Sequence, residues 1–356
     1  MGARVVASIV GARPQFIKAA PVTRALAGRF DEVLIHTGQH YDRGMSARFF
    51  EELQIPEPQY NLGVGSAPHS TQTGKMLIEL GKILAAVRPS IVVVYGDTNS
   101  TLAGALAAVQ AGIPVAHVEA GLRSFNRRMP EETNRIISDR IASFLFCPTP
   151  RAVENLGHEG ITQGVHLVGD VMKDALDYNL AVARGRSQIL ARLGVRPREY
   201  VLATVHRAAN TDDPDRLRRL LAAFGGLPSR IVLPLHPRTR KMMDEHSLVC
   251  PANTFLIEPL GYLDSLVLQE NADCILPDSG GIQKEAYMLG VRCITLREET
   301  EWIETVEAGW NRLAGVEGRL ILDAFRSWHP SGPRPALYGD GRAANRISDV
   351  LHQELT

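Results

Sequence analysis

Asp278-Ser279-Gly280-Gly281-Ile282-Gln283-Lys284-Glu285 has the residue types and spacing of an anion site. A short apolar run, Cys274-Ile275-Leu276, precedes it, and a helical pattern from Gln283 to Leu289 follows. A strand that turns into a helix through Ser-Gly-Gly leaves backbone N–H groups outward at the positive end of the helix dipole. Such an end binds phosphate without a cationic side chain. Glu285 comes six residues after Ser279, about two turns along the helix, so its carboxylate can face the same ligand. A carboxylate beside a phosphate repels it but accepts well from the vicinal hydroxyls of a ribose. The pairing predicts a nucleotide grip; the plainer alternative is a β–α turn whose glycines serve packing.

Other polar residues gather where apolar runs end. Gly11-Ala12-Arg13-Pro14-Gln15-Phe16-Ile17-Lys18 follows Val10 and sets Arg13 and Lys18 about a first helical turn, placed for a diphosphate. Gly96-Asp97-Thr98-Asn99 follows Ile91–Tyr95, and His117-Val118-Glu119-Ala120-Gly121-Leu122-Arg123 ends the next run. Met129-Pro130-Glu131-Glu132 opens a further helix. Any one of these acids serves a helix N-terminus well as a cap or first-turn charge. Asp97, Glu119 and Glu131 together predict more: carboxylates sharing a water-poor site have their pKa values pushed apart, which supplies an acid and a base at neutral pH. His206, in Ala203-Thr204-Val205-His206-Arg207, is placed to face a leaving phosphate or relay a proton, and His236 ends the next strand as a weaker candidate.

These residues need strands and helices to bring them together. Candidate strands are Val5–Val10, Val33–His36, Ile91–Tyr95, Val115–Val118, Phe144–Cys147 and His166–Val168, then Tyr200–Val205, Ile231–Leu235, Phe255–Ile257, Cys274–Leu276 and Cys293–Leu296. Helical patterns lie between them, among them Thr98–Gln110, Glu131–Ala142, Asp215–Phe224 and Ile282–Leu289. Near-continuous Val/Ile/Leu runs mark strands buried on both faces, hence parallel sheets covered by helices. The βαβ alternation occurs twice, and 356 residues exceed what one core usually serves. The predicted class is α/β, with two Rossmann-like doubly wound domains facing across a cleft. Residues 1–170 form the first, with a terminal helix over 343–356 returning to it after a Pro/Gly-rich connector, and residues 171–342 form the second.

Lys+Arg and Asp+Glu both number 39, and no block is strongly basic. Neither nucleic acid nor an anionic membrane is an expected partner. Cys147, Cys250, Cys274 and Cys293 are scattered, show no zinc spacing, and read as buried free thiols. No apolar run approaches the roughly 20 residues that span a bilayer, and the N-terminus enters a strand directly, so a soluble cytoplasmic protein is expected. No Gly-x-Gly-x-x-Gly follows a strand and no Walker A motif appears, so nucleotide binding is expected without a nicotinamide cofactor or a kinase phosphate loop.

Together these segments resemble the non-hydrolysing UDP-N-acetylglucosamine 2-epimerases. The matching stretches are 11–18, His-Thr-Gly-Gln-His at 36–40, Gly-Asp-Thr at 96–98, His-Val-Glu-Ala-Gly-Leu-Arg at 117–123 and Pro-Glu-Glu-x-Asn-Arg at 130–135, followed by His206-Arg207 and 278–285. The resemblance implies a GT-B architecture, a UDP-sugar substrate, no cofactor or metal, and a homodimer. By position, it implies that Asp97, Glu119 and Glu131 are the acid/base carboxylates and His206 the active-site histidine. Arg13, Lys18, Ser279, Gly280, Gly281 and Glu285 match positions that hold UDP. Gln39 and Arg207 match positions that contact a second, allosteric UDP-sugar in some members, and His236 joins them as a candidate.

Two departures bear on substrate. Many members carry Glu-Arg-Pro-Glu where this chain has Glu301-Trp302-Ile303-Glu304, which loses an arginine near the diphosphate. Ser265 stands where an aromatic often lies beside the uracil. Both changes, with Ser124-Phe125-Asn126-Arg127-Arg128-Met129, are similar to the subgroup acting on UDP-2,3-diacetamido-2,3-dideoxyglucuronate. A GT-B glycosyltransferase or a non-catalytic UDP-sugar sensor would share the nucleotide grip, and exchange of hydrogen at C2 of the sugar separates them from an epimerase.

Overall fold

A computed structural model describes residues 4–39 and 53–355; His40 of the 36–40 segment lies outside them. The chain forms two compact units. It passes from the first to the second after Tyr178, within the helix Val171–Arg186, and returns after Ala336.

The first unit is built on a parallel sheet of β1 (Val5–Val10), β2 (Asp31–His36), β3 (Tyr60–Asn61), β4 (Ile91–Tyr95), β5 (Val115–Val118), β6 (Phe144–Cys147) and β7 (Val165–Leu167). Their spatial order is β3-β2-β1-β4-β5-β6-β7, so the direction of winding reverses between β1 and β4. In open parallel sheets that reversal opens a crevice at the carboxyl ends of the two strands. The register sets Ile9 beside Val94 and Tyr95 beside Val118, which brings the loops after β1, β4 and β5 to one rim. One core cluster joins Ala7, Ile9, Val92 and Val94 to Met76, Leu80 and Leu84 of the helix His69–Val87. The helix Ala343–Leu355 buries Ile347 and Leu351, and its Ser348 hydroxyl donates to the Ala25 carbonyl at 2.8 Å. Its first N–H groups, from Ala343 and Ala344, donate to the Asp174 carboxylate at 3.2 and 2.9 Å, which satisfies donors that a helix start otherwise leaves open.

The second unit carries a parallel sheet of β8 (Tyr200–Thr204), β9 (Arg230–Pro234), β10 (Thr254–Ile257), β11 (Cys274–Pro277), β12 (Arg292–Thr295) and β13 (Asn311–Leu313), in the order β10-β9-β8-β11-β12-β13. Val201 and Ala203 enter one core cluster, whereas Tyr200 and Leu202 enter another. Alternate side chains of one strand thus feed apolar layers on both faces. The winding reverses between β8 and β11, and their ends carry His206 and Ser279. Cys147, Cys274 and Cys293 are buried free thiols, and Cys250 is half-buried. Among the described residues no helix is long and apolar enough to cross a membrane.

Candidate active site

In the first unit the chain leaves β4 through Gly96, whose φ is 62°. A Cβ there would lie 2.9 Å from Lys18 Nζ and 3.2 Å from Glu119 Oε2, so glycine serves both the left-handed turn and the close approach. Asp97 follows. Its carboxylate accepts from Arg135 Nη2 at 2.5 Å, and its carbonyl accepts from Asn134 Nδ2 at 2.9 Å. Thr98 caps the helix Asn99–Gln110 in a reciprocal pair with Thr101.

Glu119 leaves β5 with φ 70°, a left-handed conformation that a side chain strains. The carbonyl of Phe146 holds it there, accepting from the N–H groups of Glu119 and Ala120, both at 3.1 Å. Its carboxylate forms an ion pair with the Lys18 ammonium, and the two side chains are only 6% and 11% exposed. Lys18 comes from the helix Arg13–Leu26 after β1. Gln15 ties that loop to β4: its carbonyl oxygen accepts from the N–H groups of Gly11 and Ala12, and its amide donates to the Tyr95 carbonyl at 2.8 Å.

Two neighbouring acids take different roles at the start of the helix Pro130–Ile141. Glu132 is buried and accepts from Ser124 N, Ser124 Oγ and Phe125 N, all at 2.9 Å, and from Arg135 Nη1 at 2.8 Å. Burial opposes its charge, but these donors outweigh burial and hold its carboxyl below the ordinary 4.5. Glu132 therefore fastens the loop after Glu119 to this helix. Glu131 is half-buried, and its side chain enters no hydrogen bond or ion pair among the described residues. It stands four residues before Arg135, on the same helical face. The sheet thus gathers Lys18, Asp97, Glu119 and Arg135, with Arg13 half-buried at the start of its helix. Gln39 lies at the helix Asn99–Gln110, accepting from Ser100 N at 3.1 Å and Ser100 Oγ at 2.7 Å.

In the second unit a buried carboxylate links the two central strand ends. Asp278 Oδ2 accepts from the N–H groups of His206 and Arg207 at 2.8 and 2.9 Å, and Oδ1 lies 3.2 Å from His206 Nδ1. His236 Nδ1 accepts from Arg238 N at 3.2 Å and so caps its own helix, with its ring centroid 5.7 Å from that of His206. Ser279 caps the helix Gly280–Leu289. A Cβ on Gly280 would fall 2.1 Å from Glu301 Oε1, while one on Gly281 would meet no heavy atom within 4 Å. Glu285 is nearly buried and accepts from Gln269 Nε2 at 2.7 Å. The same amide lies 3.3 Å from Ser265 Oγ. Trp302 is buried with the Lys284 ammonium 4.0 Å from its ring centroid, and Arg297 donates to Glu301 at 2.9 Å.

Sequence reasoning assigned no role to Gln15, Arg135, His117 or Asp278. Each is a polar side chain buried beside a strand end. That is the available signal, because buried polar groups must find partners.

The UDP-N-acetylglucosamine 2-epimerase family model matches residues 24–352. A UDP-N-acetylglucosamine 2-epimerase homologue of Methanococcus maripaludis is 48% identical over 352 residues, covering 97% of this chain and 99% of that protein. A UDP-2,3-diacetamido-2,3-dideoxy-D-glucuronate 2-epimerase of Pseudomonas aeruginosa is 43% identical, covering 97% of this chain and 98% of that one. The crystal structure of Methanocaldococcus jannaschii UDP-GlcNAc 2-epimerase, in complex with UDP-GlcNAc and UDP, superposes with a TM-score of 0.92 at 43% identity, covering 98% and 99% of the two chains. With most of its length matched by the family model and by relatives of this identity, the chain belongs to the UDP-N-acetylglucosamine 2-epimerase family.

Proposed function

We propose that this protein is a non-hydrolysing 2-epimerase that interconverts UDP-GlcNAc and UDP-ManNAc by elimination and re-addition of UDP. The observation that carries the reading is the pair of carboxylates, Asp97 and Glu119, at the ends of the adjacent strands β4 and β5, each held by its own cation. No carbonyl acidifies the hydrogen at C2 of such a sugar, so its removal needs a departing group to take up the electrons. A carboxylate removes the C2 proton, the C–H pair becomes the C1–C2 double bond of a glycal, and the C1–O bond breaks with its electrons leaving on UDP. UDP then adds back at C1 while an acid delivers a proton to the opposite face of C2. Asp97, Glu119 and Glu131 supply the base and the acid, each such group contributing about 100- to 10,000-fold.

The departing diphosphate carries the charge. The helix start at Ser279, Gly280 and Gly281, with Arg13, Lys18 and His206, stabilises it, and Glu285 takes the ribose hydroxyls. Gln39, Arg207 and His236 serve a second UDP-sugar that activates the enzyme. The protein acts in the cytoplasm as a homodimer, and light scattering that gives a mass of 39.0 kDa would count against the dimer. The deciding experiment is turnover in deuterium oxide. Product that carries deuterium at C2 is expected; product that keeps the original hydrogen there sinks the elimination scheme.

A second reading keeps the chemistry and changes the sugar to a UDP-diacetamido uronate. Arg127 and Arg128, exposed just before the helix of Glu131, have no ion pair among the described residues and suit a substrate carboxylate. Comparing kcat/KM for the two sugars decides between them, and Arg127→Ala with Arg128→Ala lowers only the uronate value if this reading holds.

A further inference from the structure

His117 is completely buried in β5, two residues before Glu119, and both of its ring nitrogens face acceptors. Nδ1 lies 2.7 Å from Asp139 Oδ1, and Nε2 lies 2.6 Å from the carbonyl oxygen of Gly96, the residue before Asp97. A backbone carbonyl only accepts. The other Asp139 oxygen already accepts from Arg123 Nη1 at 2.7 Å and from Gly121 N at 3.1 Å, so Asp139 serves as a carboxylate. Both contacts of His117 then require an N–H on the histidine. The charges agree: Arg123 also forms a two-pronged pair with Glu159 at 2.6 and 2.7 Å, so two cations meet two anions when both ring nitrogens are protonated.

We propose that His117 is a positioning residue that, donating from both ring nitrogens, holds the Asp97 turn, the Glu119 turn and the helix of Glu131 in one arrangement. Through Gly96 it fixes the residue before Asp97. Through Asp139 it grips the helix Pro130–Ile141, which begins beside Glu131. Asp139 in turn holds Gly121, two residues past Glu119. Gly96 and Gly121 take φ values of 62° and 80° that glycine adopts freely, whereas Glu119 between them holds 70°, a conformation that persists only when its surroundings over-determine it. One side chain thus secures three segments whose carboxylates, on the epimerase reading above, must meet one sugar carbon. Holding such groups is worth much, because a misplacement of about 1 Å costs on the order of 100-fold in rate.

Two measurements test this. In protein labelled with nitrogen-15 at histidine, two-bond proton–nitrogen correlation separates a ring with two N–H groups from either neutral tautomer, and the signal of His117 is identified by its loss in His117→Asn. The pattern of a ring with two N–H donors is expected; a ring with only one overturns the proposal whether or not any variant folds. In parallel, His117→Ala and His117→Asn should lose kcat by on the order of 100-fold while UDP affinity stays within about threefold, a split that a merely unstable fold would not give. Added imidazole should restore part of the kcat of His117→Ala and none of that of His117→Asn, whose side chain fills the space. Unchanged kcat, or equal loss of kcat and UDP affinity, overturns it. Wild-type protein that exchanges no hydrogen at C2 counts against the epimerase reading instead, and the nitrogen spectrum still judges His117.

Discussion

Arg135 holds the Asp97 carboxylate at 2.5 Å while its other terminal nitrogen reaches Glu132 at 2.8 Å. One guanidinium therefore joins a carboxylate proposed for chemistry to one that anchors a loop. A planar fork spans two acceptors; a lysine ammonium does so poorly.

Arg135→Lys should accordingly lower kcat by about 10- to 100-fold, through displacement of Asp97, and leave UDP affinity as it was. Steady-state kinetics beside calorimetric UDP titration reads both. Wild-type kcat in this variant would remove Arg135 from the positioning of Asp97.

Asp97→Asn and Glu119→Gln keep the size of each side chain and remove its charge. Each should lose about 100- to 10,000-fold in turnover and in wash-in of deuterium at C2, with UDP still bound. Glu119→Gln also deprives Lys18 of its buried partner, so its melting temperature should fall more than that of Asp97→Asn. Equal turnover in all three proteins would refute the acid–base assignment.

The helix start in the second unit separates packing from ligand approach. Gly280→Ala drives a Cβ into Glu301 and should lower both stability and UDP affinity. Gly281→Ala meets no protein atom and should melt like the wild type while weakening UDP about tenfold or more, roughly 1.4 kcal/mol. Undiminished UDP binding by Gly281→Ala would mean that the diphosphate does not approach this backbone.

Acid should unfold the first unit through identifiable groups. Burial works against the Asp139 charge, but His117 and Arg123 outweigh it, and its carboxyl sits below the ordinary 3.8; Glu132 likewise sits below 4.5. A carboxylate depressed in the folded state adds stability that is fully present above its unfolded value and lost as pH falls through the folded one. Urea midpoints should hold from neutral pH to about 5 and drop below that. Glu132→Gln should begin lower at neutral pH and fall less steeply.

The terminal helix is held by apolar contact. Ile347 and Leu351 are both fully buried, so Ile347→Ala or Leu351→Ala should each cost about 2–5 kcal/mol of stability. Chemical denaturation of the two variants measures this, and a loss well under 1 kcal/mol would show that the helix contributes little.

The sheets were legible because their strands are apolar on both faces. Val5–Val10, Ile91–Tyr95, Val115–Val118 and Phe144–Cys147 stand where the continuous runs place them. β3 and β13 escaped notice since strands of two and three residues, Tyr60–Asn61 and Asn311–Leu313, carry no such run. The helix after Ser279 begins at Gly280, earlier than its hydrophobic pattern, because the serine cap fixes its start.

The carboxylates were legible at strand ends; their partners were not. Lys18 and Glu119 are 101 residues apart, and Arg135 and Asp97 are 38 apart. Strand order and helix rotation decide which side chains reach each other, and neither is written in local spacing. Glu131 and Glu132 make the same point, since only three-dimensional contacts show that Glu132 is the anchor.

The return of the Ala343–Leu355 helix to the first unit has a consequence for biosynthesis. Every residue of the second unit is translated before this helix exists. A ribosome working from the N-terminus ordinarily lets the leading domain fold first. Here the leading unit waits, its Ile347 and Leu351 contacts unfilled, while the trailing one already has all its parts. The unit bearing Asp97 and Glu119 is thus the last to be completed.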